Sequence, residues 1–169
     1  RLTQSGGIDT EPRYSPDGSR VAYALGEGAR AVIEIRRIDA AERFTLGDPQ
    51  DLNINPVFCP DGQRIAYFRR GPDGQCGIVA QDVQGGSTRP LRDCLRDLRA
   101  HFALAPDGRH LVYVATTRPQ FPGGLVLRDL DTGLDRTLTT PDPGDGDDLM
   151  PRFSPDGTRI LFFRGTRSH

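Results

Sequence analysis

Four short apolar runs recur along the chain, and each follows the same polar turn. The runs are Val21-Ala-Tyr-Ala-Leu25, Ile65-Ala-Tyr-Phe68, Leu111-Val-Tyr-Val114 and Ile160-Leu-Phe-Phe163. Near-continuous apolar stretches this short predict β-strands buried on both faces. The turn before each run is Pro-Asp-Gly, with its Pro at Pro16, Pro60, Pro106 and Pro155. Pro presets its own φ, Asp bonds the backbone ahead, and Gly accepts a positive φ. Before each turn a strand carries one large apolar residue: Tyr14, Phe58, Leu104 or Phe153. After each of the first three runs the pattern predicts a third strand, Ala31–Arg36, Gly77–Gln81 and Gly124–Arg128. A tight turn then leads to a more polar fourth strand, Arg43–Leu46, Arg89–Arg92 and Arg136–Thr139. Polar fourth strands suit a solvent-facing sheet edge, and Pro90 is tolerated only at such an edge.

The turn prolines are 44, 46 and 49 residues apart. A repeat of roughly 40–50 residues with four strands per unit predicts an all-β propeller. The expected organisation is one propeller domain over 1–169, with repeats at about 5–46, 47–93, 94–140 and 141–169. Arg1–Gln4 reads as one more outer strand, able to close the last blade, which brings the expected count to fifteen strands. The ring is expected either to close with four blades or to form part of a larger propeller.

Composition narrows the picture. The chain holds 20 Gly and 14 Pro among 169 residues, which disfavours a helix bundle. All 22 basic residues are Arg, and the formal charge of -1 argues against wrapping nucleic acid. No apolar run approaches the roughly 18 residues of a membrane span. A chain that opens at Arg1 rather than Met is expected to be an excerpt of a longer protein.

The four repeats, Pro12–Gly18, Pro56–Gly62, Phe102–Gly108 and Pro151–Gly157 with their following strands, resemble the TolB-type, WD40-like propeller repeat. Its consensus is close to Pro-x-Trp-Ser-Pro-Asp-Gly-x-x-Ile-Ala-Tyr. This chain departs from it in having no Trp, in Cys59 and Ala105 at the Ser position, and in Phe102 at the first Pro. The resemblance implies the fold and is nearly silent about function. The Arg-only composition and the cysteine-bearing second repeat look most like the extracytoplasmic propeller of CadC-like winged-helix regulators. That likeness implies a non-catalytic sensor or protein-interaction domain of a membrane-anchored transcriptional regulator. The domain would lie in the periplasm, tethered to the inner membrane. A TolB-like periplasmic scaffold and a propeller gating a prolyl-oligopeptidase-like serine peptidase are the alternatives. The expected partner is a protein or small polar ligand at a propeller face, with no nucleic-acid contact by this segment. A homodimer is a further option.

Cys76 precedes the third strand of its repeat and Cys94 follows the fourth, so a hairpin turning at Gly85-Gly86 sets the two opposite each other. A disulfide is geometrically allowed there, and a persistent one implies an oxidising compartment. Two unpaired thiols in a cytosolic protein remain the alternative. Cys59 reads as a buried small hydrophobe.

No catalytic constellation, phosphate loop or metal-ligand spacing is present, and no cofactor is expected. The candidate binding residues lie in loops expected just before each first strand, around one mouth of the channel. They are Asp9 and Glu11, Asn53 and Asn55, Arg99 and His101, and Asp147 and Asp148. The acidic segment Asp142, Asp145, Asp147 and Asp148 could take calcium, although a solvated acidic loop is the simpler reading. His110 stands where other repeats have Arg20, Arg64 and Arg159, and reads as a solvated strand residue.

Overall fold

The computed structural model describes residues 8–94, 98–116 and 121–166, with the side chains of 8–11, 98 and 99 left out of the description. The described residues form fourteen strands and no helix. The Arg1–Gln4 strand expected from sequence lies outside them. The chain divides into two compact units, Arg1–Cys94 and Leu95–His169.

The first unit holds two complete blades. In the first, β1 (Ile8–Tyr14), β2 (Arg20–Glu27), β3 (Arg30–Arg37) and β4 (Arg43–Leu46) pair antiparallel in chain order. The second repeats the plan with β5 (Leu52–Phe58), β6 (Arg64–Arg70), β7 (Cys76–Asp82) and β8 (Arg89–Asp93). Ala31 of β3 and Leu52 of β5 share a parallel bridge, so the second blade starts against the middle of the first. One face of the first blade, with Ala22, Ala24, Ile33 and Ile35, packs on Phe58, Ile65, Tyr67 and Val79 of the second. The expectation of doubly buried second strands holds for β6, where Ile65, Ala66 and Tyr67 are 0% and Phe68 1% exposed. Each large aliphatic side chain buried this way stabilises the unit by about 1.5–3 kcal/mol.

The second unit has a complete blade and a half-blade. β9 (Leu98–Leu104), β10 (His110–Ala115), β11 (Gly124–Asp129) and β12 (Asp135–Thr137) form the first. β13 (Asp145–Phe153) and β14 (Ile160–Thr166) form a two-stranded antiparallel sheet. Its Phe153, Ile160 and Phe162 pack on Ala103, Val112, Val114 and Leu125 of the blade before it. β12 is shorter than expected: Leu138 N–H at 2.8 Å and Thr139 N–H at 3.3 Å both donate to Leu125 O of β11, which interrupts the regular ladder there.

The turns and the cysteine hairpin take the local geometry their residues demand. The turn glycines Gly18, Gly62, Gly108 and Gly157 all have φ between 65° and 71°, the left-handed conformation this turn requires. Cys76 and Cys94 are disulfide-bonded with their Cα atoms 5.0 Å apart, as the hairpin register predicts. That register slips between Ile78 and Val79, opposite Pro90, which has no N–H to donate. Cys59 is buried at 7% exposure, and burial pushes its thiol up to about 11.

β14 departs from expectation. Its sequence reads as a doubly buried strand, yet Leu161 is 76% and Phe163 62% exposed. The neighbouring blade covers the Ile160 and Phe162 side, and no described residue covers the other.

Candidate functional site

The expected binding loops are strands. Asp9 and Glu11 lie in β1, Asn53 and Asn55 in β5, Arg99 and His101 in β9, and Asp147 and Asp148 in β13. The strands continue through these polar positions because bulges absorb the phase change. Asn55 and Met150, at the same repeat position, have φ of 54° and 52°, and the ladder skips a step beside each. Upstream of the bulges the pairing resumes, with Asn53 opposite Arg69 and Asp148 opposite Arg164.

In the first unit Asn53 is fully buried. Its Nδ2 donates to Ala31 O at 2.8 Å and to Asp48 O at 3.0 Å, joining the start of β5 to the first blade. Gly47 leaves the room: a Cβ there would sit 2.5 Å from the Asn53 side chain. Asn53 Oδ1 is buried without a hydrogen-bond donor. Asp51 is 3% exposed and accepts from Arg69 Nε at 2.6 Å, while Ala31 N–H donates to Asp51 O at 3.0 Å. Asn55 is also buried, at 3% exposure.

In the second unit the position equivalent to Asn53 is Asp148, also fully buried. Arg164 grips it through two bonds, Nε to Oδ1 at 2.7 Å and Nη2 to Oδ2 at 3.1 Å. The Thr139 hydroxyl donates to the same carboxylate and itself accepts from Leu125 N–H at 2.8 Å. Asp147 Oδ1 accepts from Gly123 N–H at 2.7 Å, and Asp148 N–H donates to Gly123 O at 2.8 Å. Apart from the Arg164 pair within the half-blade, these bonds fasten β13 to β11 and its flanks.

These residues do not fit a calcium site. A guanidinium already occupies the face of Asp148 where a cation would sit, and Arg164 Nη1 lies 3.5 Å from Asp145 as well. Asp145 Oδ2 accepts from Asp142 N–H at 3.2 Å. Among the described residues, no group of three or more His, Cys, Asp or Glu could hold a metal ion.

The side chains of Asp9, Glu11 and Arg99 lie outside the description, and His101 is half-buried. His110, expected to be a solvated strand residue, lies at the start of β10 and bonds Asp107 Oδ2 through Nδ1 at 2.7 Å. It does what Arg64 does for Asp61, Nε to Oδ2 at 2.9 Å. These two repeats are the ones with Cys59 and Ala105 in the Ser position. Where Ser is present, the hydroxyl supplies the bond instead, Ser15 to Asp17 at 2.6 Å and Ser154 to Asp156 at 2.5 Å.

Comparison with known proteins agrees with this geometry. The family model described as TolB beta propeller domain matches residues 1–142. The chain belongs to the TolB β-propeller domain family. It is 30% identical over 158 residues to the Agrobacterium fabrum protein Atu1656, covering 89% of this chain and 53% of that one. Among solved structures it resembles TolB from Acinetobacter baumannii, with a TM-score of 0.80 and 19% identity, over 99% of this chain and 40% of that one. It also resembles an oligogalacturonate lyase in complex with manganese, at a TM-score of 0.72 and 18% identity, over 95% of this chain and 46% of that one. The chain thus spans about half the length of these relatives, and the two structural likenesses show the fold alone.

In this TolB-type propeller one concave feature escaped the sequence reading. A groove of ≈ 210 Å³ on the second blade is lined by Arg69, Asp73, Gln75, Thr88, Pro90 and Asp93, with Cys76 in its wall. Its walls come from β6, β7 and β8 and the loops joining them, so only the register of the hairpin reveals it.

Proposed function

We propose that this chain is a non-catalytic interaction propeller of the bacterial cell envelope, binding a protein partner or small polar ligand at a propeller face. The observation that supports this best is how the polar side chains of the first strands are used. Asn53, Asp147 and Asp148 are bonded to neighbouring strands and loops, which leaves none of the three as a free acid, base or metal ligand. The Cys76–Cys94 bridge supports an oxidising compartment, the periplasm. The finer reading is that the propeller is the sensor of a membrane-anchored transcriptional regulator, passing a binding event to a DNA-binding domain elsewhere in the polypeptide.

Three experiments test the reading. Alkylation trapping in intact cells should find Cys76 and Cys94 oxidised during growth, and finding both reduced removes the envelope location. Turnover of oligopeptides or oligogalacturonate by the purified chain would overturn the non-catalytic role. Transcript profiling after chromosomal deletion of this region separates the finer reading from a scaffold. A changed set of transcripts that returns on complementation supports the regulator, and an unchanged profile leaves the scaffold.

A further inference from the structure

The groove on the second blade lies on the face that the first blade flanks. Val79 packs in one cluster with Ala22, Ala24, Ile33 and Ile35 of the first blade. Residues opposite each other in a ladder share a face, and every second residue along a strand returns to it. Arg69 stands opposite Gly77, Gly77 opposite Asp93, and Val79 opposite Pro90. These five residues of the groove therefore share the face of Val79. All of the lining falls between Arg69 and Asp93, inside a four-stranded blade whose neighbour on that side also has four strands.

Its walls are fixed before any ligand arrives. The β6–β7 loop closes on itself, Gly71 N–H donating to Gln75 O at 2.8 Å and Gly74 N–H to Gly71 O at 3.0 Å. Asp73 Oδ1 accepts from Gln75 N–H at 3.0 Å. Gly71 leaves the room for that carboxylate, since a Cβ there would lie 2.7 Å from Asp73 Oδ1. On the outer strand the Cys76–Cys94 bridge ties the end of the hairpin, and Pro90 fixes its own φ. A preformed groove loses little conformational freedom when it is filled.

The charges around it do not cancel. Arg69 is balanced by Asp51, which accepts from its Nε at 2.6 Å. Asp73 and Asp93 remain, and exposed Asp93 has no hydrogen-bond or ion-pair partner among the described residues. Val79 and Pro90 add apolar surface of the kind that covers the methylene stem of a long cationic side chain. The volume of ≈ 210 Å³ falls below the roughly 300–1,000 Å³ of small-molecule pockets, and so suits one side chain rather than a whole cofactor. We propose that this groove receives an arginine or lysine side chain of a protein partner, its charge held by Asp73 and Asp93. The proposal rests on the reading of the chain as an interaction domain, and it names the chemistry of the contact.

The test titrates the isotope-labelled, oxidised chain with the peptide acetyl-Ala-Arg-Ala-amide and follows amide chemical shifts by NMR. Shifts should gather on Gly71 to Gly77 and Arg89 to Asp93 and saturate with a dissociation constant of about 1 mM. The same peptide with citrulline, alike in shape and uncharged, should bind about fivefold more weakly. Asp93→Lys, at an exposed position, should keep the dispersed spectrum of the folded chain and also weaken binding about fivefold or more. Asp73→Asn keeps an acceptor for the Gln75 amide and removes the charge, so a loss of about threefold is expected. Asp39→Asn, in the exposed β3–β4 turn, should change nothing. Shifts that are absent, or that fall outside the groove, overturn the proposal, whereas failure of the interaction reading itself would show in the cysteine-trapping and turnover experiments. A citrulline peptide that binds equally well overturns it too, because the groove would then read shape alone. So does free arginine that binds more tightly than the peptide, which would make the groove a small-molecule site.

Discussion

Asn53 and Asp148 occupy the same place in two repeats, seven residues before the turn proline, and both are fully buried. They do opposite chemistry. Asn53 donates to two carbonyl oxygens, Ala31 O and Asp48 O. Asp148 accepts from the Arg164 guanidinium and the Thr139 hydroxyl. The difference comes from the groups around each one. The first unit offers acceptors, so an amide N–H is required; the second offers donors, so a carboxylate is. The repeat therefore sets a buried polar anchor at the start of the first strand, and the neighbours set its chemistry. The anchors should also differ in strength. Bonds to charged groups contribute about 1.5–3 kcal/mol against roughly 1 for neutral ones. Asn53 in addition leaves its Oδ1 without a donor.

The largest expected effect is therefore Asp148→Ala. It removes a bidentate ion pair and a hydroxyl bond at a buried position and leaves Arg164 unmatched. Arg164 is 38% exposed and water takes over part of its loss, so the expected cost is about 3 kcal/mol rather than the upper end for a broken buried pair. Urea unfolding would measure it, and a cost below that of Asn53→Ala, expected near 1–2 kcal/mol, would break the comparison.

The swap Asn53→Asp sharpens it. A carboxylate there would face two carbonyl oxygens in a buried site, so its folded pKa must rise. The cost should be about 2 kcal/mol at neutral pH. It should shrink as pH falls through that raised value, because the protonated acid regains a donor. Unfolding at pH 7 and pH 4.5 checks this, and a deficit independent of pH would show that Asn53 acts through shape alone.

How much of this was legible in the sequence depends on where each partner lies. The strands and turns were legible because their causes are local: apolar runs, Pro-Asp-Gly, and a hairpin that places Cys76 opposite Cys94. The anchors were visible as polar positions and were placed in loops, whereas they lie in strands. Each has a partner well away in sequence, Ala31 being 22 residues from Asn53 and Arg164 16 residues from Asp148. A polar residue whose partner is remote looks like a loop residue in the sequence. β14 failed for the converse reason. Ile160-Leu-Phe-Phe163 has the pattern of a doubly buried strand, and pattern alone cannot show that nothing described stacks on its outer face.

The smallest expected effect tests whether the same rule holds at the turns. Asp17 and Asp156 are held below the usual carboxylate range first by the Ser15 and Ser154 hydroxyls, then by the Ser19 and Thr158 amides. At Asp107 burial pushes upward, but the Arg109 amide, the His110 ring and the His110 amide outweigh it. At Asp61 burial likewise loses to Arg64 and the Gln63 amide. All four carboxylates should therefore titrate below about 3.9, the value of an unfolded Asp. A depressed folded pKa means their contribution is present above about pH 4 and lost as pH falls through the folded values. Carboxyl chemical shifts followed by NMR should show Ser154→Ala moving Asp156 upward and leaving Asp107 alone, with His110→Ala doing the reverse. If either substitution moved both turns, or neither, the turns would not be using Ser in two repeats and a guanidinium or imidazole in the other two to satisfy the same aspartate.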